Sequence, residues 1–244
     1  MYLFSPQLVK LWAFIFVCRG WGIKMLKILF ACAAGVVGFL FGLYFPDIVN
    51  SLIVRKCGQK GRELPGKLEF GNTVKLAVSV GFFFVFSGIS YQIFSARSLF
   101  LCAFVAITAV ATVIDHKIRI IPNEICLALV VFGLAYRFLV NGIYGLLESV
   151  EACALVIGIF LIYYVIFCRR KGFYNGIGAG DIKLALSTAV VVGFPAVMTS
   201  LLYMSAALII YCVGGLLLKK LTLTSLFPMC GFIMIGFLFG VFAA

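Results

Sequence analysis

Charge is scarce in this sequence, and acid is scarcest. Its 244 residues include eight Asp and Glu against 20 Lys and Arg, one histidine, and 11% charged residues in all. A soluble domain carries about 25% charged residues, so a water-exposed globular fold is excluded. Alternation of period two is absent, which argues against a membrane β-barrel. The nine cysteines include no Cys-x-x-Cys pair, so neither a zinc site nor a disulfide framework has support from spacing. They are scattered singly, mostly in apolar runs, and read as small buried hydrophobes. A phosphate loop of the form GxxxxGK[ST] is missing, as are repeats and low-complexity tracts. The net charge of +12 is spread between apolar segments rather than clustered, so nucleic acid is not an expected partner.

What the chain does have is long apolar runs. It is 64% hydrophobic, with a mean hydropathy of +1.20. Runs of about 16–23 residues come near the roughly 20 that cross a bilayer as helix. The expected fold is an all-α membrane protein, a polytopic bundle of about eight transmembrane helices with short loops. The expected spans are 28–45, with the apolar run interrupted at Pro46 and Asp47 and resuming to Val54, then 74–94, 99–114, 125–140, 152–168, 182–194, 196–218 and 226–241. Residues 1–24 read as an extension or interfacial helix, 25–71 as the first span with a basic loop, and 72–244 as the main membrane domain. Loops 55–75, 117–119, 169–183 and 219–220 fall on one side and hold 14 of the 20 Lys and Arg. The opposite loops hold Arg97 and Arg137. The positive-inside rule puts the first set in the cytoplasm, against the vote of Lys10, Arg19, Lys24 and Lys27 ahead of the first span.

On this topology two acids reach the same depth. Asp115 closes the third span and Asp181 opens the sixth, after the turn Gly176-Ile177-Gly178-Ala179-Gly180. An acid beside lipid is costly and is a functional candidate by default. Two nearby carboxylates do not both ionise cheaply, so they share a proton. One can then activate a water as general base while the other protonates a carbonyl oxygen. Gly178 and Gly180 are expected to allow close backbone approach and positive φ. The plain alternative makes each acid a helix cap at the membrane surface. His116, beside Asp115, reads as a solvated loop residue, and Glu124 as the start of the fourth helix, with attraction for a basic partner as the less favoured reading. Lys183 reads as a headgroup anchor or a substrate-orienting cation, and Pro122 as the residue that turns the loop into its helix. No cofactor and no metal is expected.

The motif Gly178-Ala179-Gly180-Asp181-Ile182-Lys183 resembles the GxGD signature of intramembrane aspartyl proteases, and in its GxGDxK form the type IV prepilin peptidases. The stretch from Asp115 to Pro122-Asn123-Glu124 resembles that family's other aspartate motif, and Asn50 to Arg55 a weaker third. Presenilin-type relatives have Tyr before the first aspartate, where Ile114 stands here, and a Pro-Ala-Leu motif, where this chain has Pro228 in another context. The resemblance spans about residues 26–243 and implies an aspartic endopeptidase with Asp115 and Asp181 as its catalytic pair. Gly178, Gly180, Lys183, Pro122 and Asn123 would support the motif. It further implies a prokaryotic inner-membrane enzyme with its site facing the cytoplasm. The implied partners are the bilayer and prepilin or pseudopilin precursors of type IV pilus or type II secretion systems, cut after a basic leader. Members that also methylate the new N-terminus carry a zinc-binding insert. Here residues 55–71 hold one cysteine, Cys57, so neither zinc nor N-methyltransferase activity is expected. The alternative to an enzyme is a transporter or assembly factor using paired acids for ion or proton handling.

Overall fold

The computed structural model describes residues 6–61, 66, 71–168, 178–218 and 229–243. They form seven α-helices in chain order: α1 Pro6–Lys60, α2 Asn72–Gln92, α3 Arg97–Ile118, α4 Asn123–Tyr163, α5 Ala179–Val192, α6 Ala196–Leu217 and α7 Cys230–Ala243. A π-helical turn, Tyr164–Cys168, extends α4. The protein is a multi-pass helical membrane protein: five segments are long and apolar enough to cross a bilayer, and α7 is a shorter apolar helix. The chain divides into two compact units, one made of Met1–Tyr44 and Phe70–Cys102, the other of Phe45–Glu69 and Ala103–Ala244.

In the first unit, α1 and α2 meet through small residues. Gly35 faces the ring of Phe83, Gly38 faces Phe82 and Phe86, and Gly42 faces the backbone of Ser79. In lipid there is little hydrophobic drive between helices, so close approach and van der Waals contact do the work. Phe41 and Phe82 add an edge-to-face pair at 5.0 Å.

The second unit is built around a reversal that helix length alone conceals. Helix α4 has 41 residues, but Gly142 inside it has φ 60° and ψ −138°. A continuous helix of that length would run about 62 Å, twice the bilayer core. Instead, Gly145 lies against the carbonyl of Arg137, and Glu148 pairs with Arg137 and accepts from Asn141 Nδ2 at 3.0 Å. In a straight helix residues eleven apart stand about 16 Å apart, so the chain folds back at Gly142 into a helical hairpin. Only glycine takes such a backbone pair without strain. With α4 counted as two arms, the seven helices provide eight helical segments among the described residues, and the arms match the expected fourth and fifth spans.

Helix α5 runs beside both arms. Gly133 on the first arm faces Val191, while Ser149 on the second donates to the Val190 carbonyl at 2.7 Å. Cys153 Sγ lies 3.8 Å from the Leu186 carbonyl, so α5 is antiparallel to the second arm and parallel to the first. It stops at Gly193, whose φ of 68° ends the helix with the Arg137 guanidinium where a Cβ would be. Helix α7 packs on α5 and α6, its Gly236 and Gly240 meeting Ser200 and Met204 of α6. Phe104 packs edge-to-face with Tyr136 and Phe237 at 5.6 and 5.7 Å in the core.

Candidate active site

The hairpin decides where the acids lie. The first arm of α4 leaves the end of the unit where α3 finishes, and the second arm returns there. Helix α5 then starts from that same end. Asp115 stands in the last turns of α3, and Asp181 in the first turn of α5. Their charges act on each other. Asp115 is 6% exposed, and Asp181 is half-buried.

Each carboxylate meets a helix N-terminus. Gly178 is the N-cap of α5, and its backbone N–H donates to Asp181, the third helical residue. This is the reach-back half of a capping box. The backbone N–H of Cys230 is directed at the Asp115 carboxylate. Cys230 is the first residue of α7, so its amide has no acceptor inside its own helix. Asp115 Oδ2 is nevertheless buried without a hydrogen-bond partner among the described residues. Simple capping accounts for the amide contacts. It does not account for two carboxylates acting on one another, or for a buried carboxylate oxygen left unsatisfied.

The glycines act differently from the sequence expectation. Gly178 has φ −65°, and Gly180 lies in the helix; neither takes positive φ, which occurs at Gly61, Gly142 and Gly193 among the described glycines. At Gly178 the contribution is space, since a Cβ there would stand 3.1 Å from Asp181 Oδ2; a Cβ on Gly180 would make ordinary contact, 3.6 Å from the side chain of Ile121. Ile121 belongs to the loop after α3, so the two aspartate motifs touch directly. In that loop Pro122 is buried and starts α4 from an extended conformation. Asn123 is exposed. Lys183 is exposed, and its charge reaches Cys126. His116 is exposed in the last turns of α3, and Glu124 lies in the first turn of α4. The residues that sequence reasoning missed are Cys230 and Ile121. No side-chain signal could have found Cys230, because its contribution is a backbone amide.

A model of the type IV leader peptidase family matches residues 100–213. Over that stretch, a little under half of the chain, the sequence is similar to the type IV leader peptidase family. The matched region runs from α3 to α6 and contains Asp115, the hairpin and Asp181. Cys230 and the end of α1 lie outside it. No curated protein and no solved structure matches the chain. The similarity points to a peptidase, and the apolar helices to a membrane protein. Among the sequence features read above, residues 169–177 of the basic loop, the loop 219–220 and Pro228 lie outside the described residues, as do residues 62–65 and 67–70 of the loop expected to lack zinc.

Proposed function

We propose that this protein is an aspartic endopeptidase that removes the basic leader from type IV pilin-like precursors at the cytoplasmic membrane face. The observation that supports the reading is that Asp115, in the last turns of α3, and Asp181, in the first turn of α5, stand at the same end of the second unit. A pair sharing one proton has a use for the unsatisfied Asp115 Oδ2. One carboxylate takes a proton from water, which attacks the scissile carbonyl, and the other protonates the carbonyl oxygen. The tetrahedral intermediate then collapses as a proton passes to the leaving amine. The amides of Gly178 and Cys230 hold the carboxylates in place. The excess of Lys and Arg in loops on the same side as both acids supports a cytoplasmic site in a prokaryotic inner membrane. The GxGDxK form of the motif, Gly178 to Lys183, favours prepilin and pseudopilin precursors as substrates.

The test is co-expression with a precursor bearing a basic leader and a hydrophobic helix. Asp115→Asn and Asp181→Asn should each abolish processing while the protein still inserts. Normal cleavage by either variant would sink the paired-acid assignment. Mass spectrometry of the mature N-terminus reports the cleaved bond. An unmethylated terminus is expected, and an added methyl group would restore the second activity to this chain.

A further inference from the structure

The end of α1 belongs to the same unit as both acids, yet the chemistry above makes no use of it. Val49, Ile53 and Cys57 are buried there at intervals of four, one stripe of a helix. Lys56 is buried beside them, 7% exposed. An ammonium in that setting requires partners. Its Nζ donates to Gln59 Oε1 at 3.2 Å and lies 3.6 Å from Glu124 Oε2. Arg55 Nε also lies 3.8 Å from Glu124 Oε1, but its side chain is 65% exposed and water weakens that pair. The buried side of the Glu124 carboxylate belongs to Lys56.

Glu124 opens α4 directly after the loop 119–122. That loop starts in strain: Arg119 has φ 50°, the left-handed region that a side chain opposes. Strained backbone persists where its surroundings over-determine it. Here Ile120 and Pro122 are buried, Ile121 lies against Gly180, and Glu124 is tied to Lys56. The loop therefore has one anchor on the Asp181 turn and another on the first helix.

We propose that Lys56 is a positioning residue of the peptidase: through Glu124 it fixes the loop that sets Asp115 against Asp181. This rests on the endopeptidase reading above. It also removes Glu124 as the attractor of a basic leader, since two cations already face its single carboxylate.

The experiment is steady-state cleavage of a synthetic precursor with a basic leader by the full-length protein in detergent. Lys56→Met should lower kcat about 10- to 100-fold with KM little changed, the size expected of a small misplacement of reacting groups. Lys56→Arg should retain most activity. The exchange Lys56→Glu with Glu124→Lys should recover activity lost in either single variant. Wild-type kcat in folded Lys56→Met overturns the proposal. Should that variant not fold, Glu124→Gln reads the same coupling, and unchanged kcat there overturns it equally. A Glu124→Gln effect confined to KM, and only for basic leaders, would make Glu124 a leader contact instead. Wild-type protein that cuts no precursor would sink the endopeptidase reading itself. An active wild type with an indifferent Lys56 sinks the positioning role alone.

Discussion

Glu148→Ala tests the hairpin on which the arrangement of the acids depends. Arg137 is 3% exposed, and its guanidinium is paired with the Glu148 carboxylate. Removing that carboxylate leaves a cation buried among helices without its counter-charge. Breaking a fully buried pair costs about 3–5 kcal/mol. The Glu148 side chain is 31% exposed, so water can reach the vacated edge of the guanidinium, and the expected loss is about 2–4 kcal/mol. That corresponds to roughly 30- to 800-fold in the folded-to-unfolded ratio. The reverse change, Arg137→Met, removes the buried charge itself and frees a carboxylate that can turn to water and Asn141. It should cost less, about 1–2 kcal/mol. The double variant Arg137→Met with Glu148→Leu should recover to within about 1 kcal/mol of wild type, as apolar replacements of buried pairs do. Reversible unfolding in mixed micelles, followed by circular dichroism, measures all three. A Glu148→Ala protein as stable as wild type, or an Arg137→Met protein less stable than Glu148→Ala, would refute the reasoning. The pair would then be a surface contact and the reversal at Gly142 would not depend on it.

Gly193→Ala should destabilise by about 2 kcal/mol or more, because the residue has φ 68° and its Cβ would enter the Arg137 guanidinium; the same unfolding assay reads it. Gly178→Ala should lower kcat about tenfold, since its Cβ would crowd Asp181 Oδ2 at 3.1 Å, whereas Gly180→Ala, at 3.6 Å from Ile121, should stay near wild type. Equal effects at the two glycines would contradict the spatial role given to Gly178. If the carboxylates share a proton, kcat/KM against pH should be bell-shaped, with both apparent constants belonging to the pair. A profile with a single limb would argue for one working carboxylate.

Much of this was legible in order along the chain. The apolar runs located the helices, and Gly178 to Lys183 marked the start of α5 with Asp181 in its first turn. The expected fourth and fifth spans fell on the two arms of α4, but only the structure placed the reversal at Gly142. Less legible was why the glycines matter, because φ and the room around a missing Cβ depend on what faces it. The sequence placed Glu124 at the start of the fourth helix, as found, but only the structure gave its carboxylate Lys56 as a partner.

The sequence by itself determined the membrane class, the rough order of the helices and the two acids as candidates, while α1 runs unbroken from Pro6 to Lys60 through the expected break at Pro46. Those follow from transfer free energy and local backbone preference, which are properties of short stretches. Tertiary structure decided which groups meet. The reversal at Gly142 returns the chain so that Asp181 starts from the same end of the unit as Asp115, and α7 brings the Cys230 amide from the far end of the sequence. Contacts between distant segments depend on packing rather than on composition, and a backbone amide carries no mark of its partner in the residue that bears it.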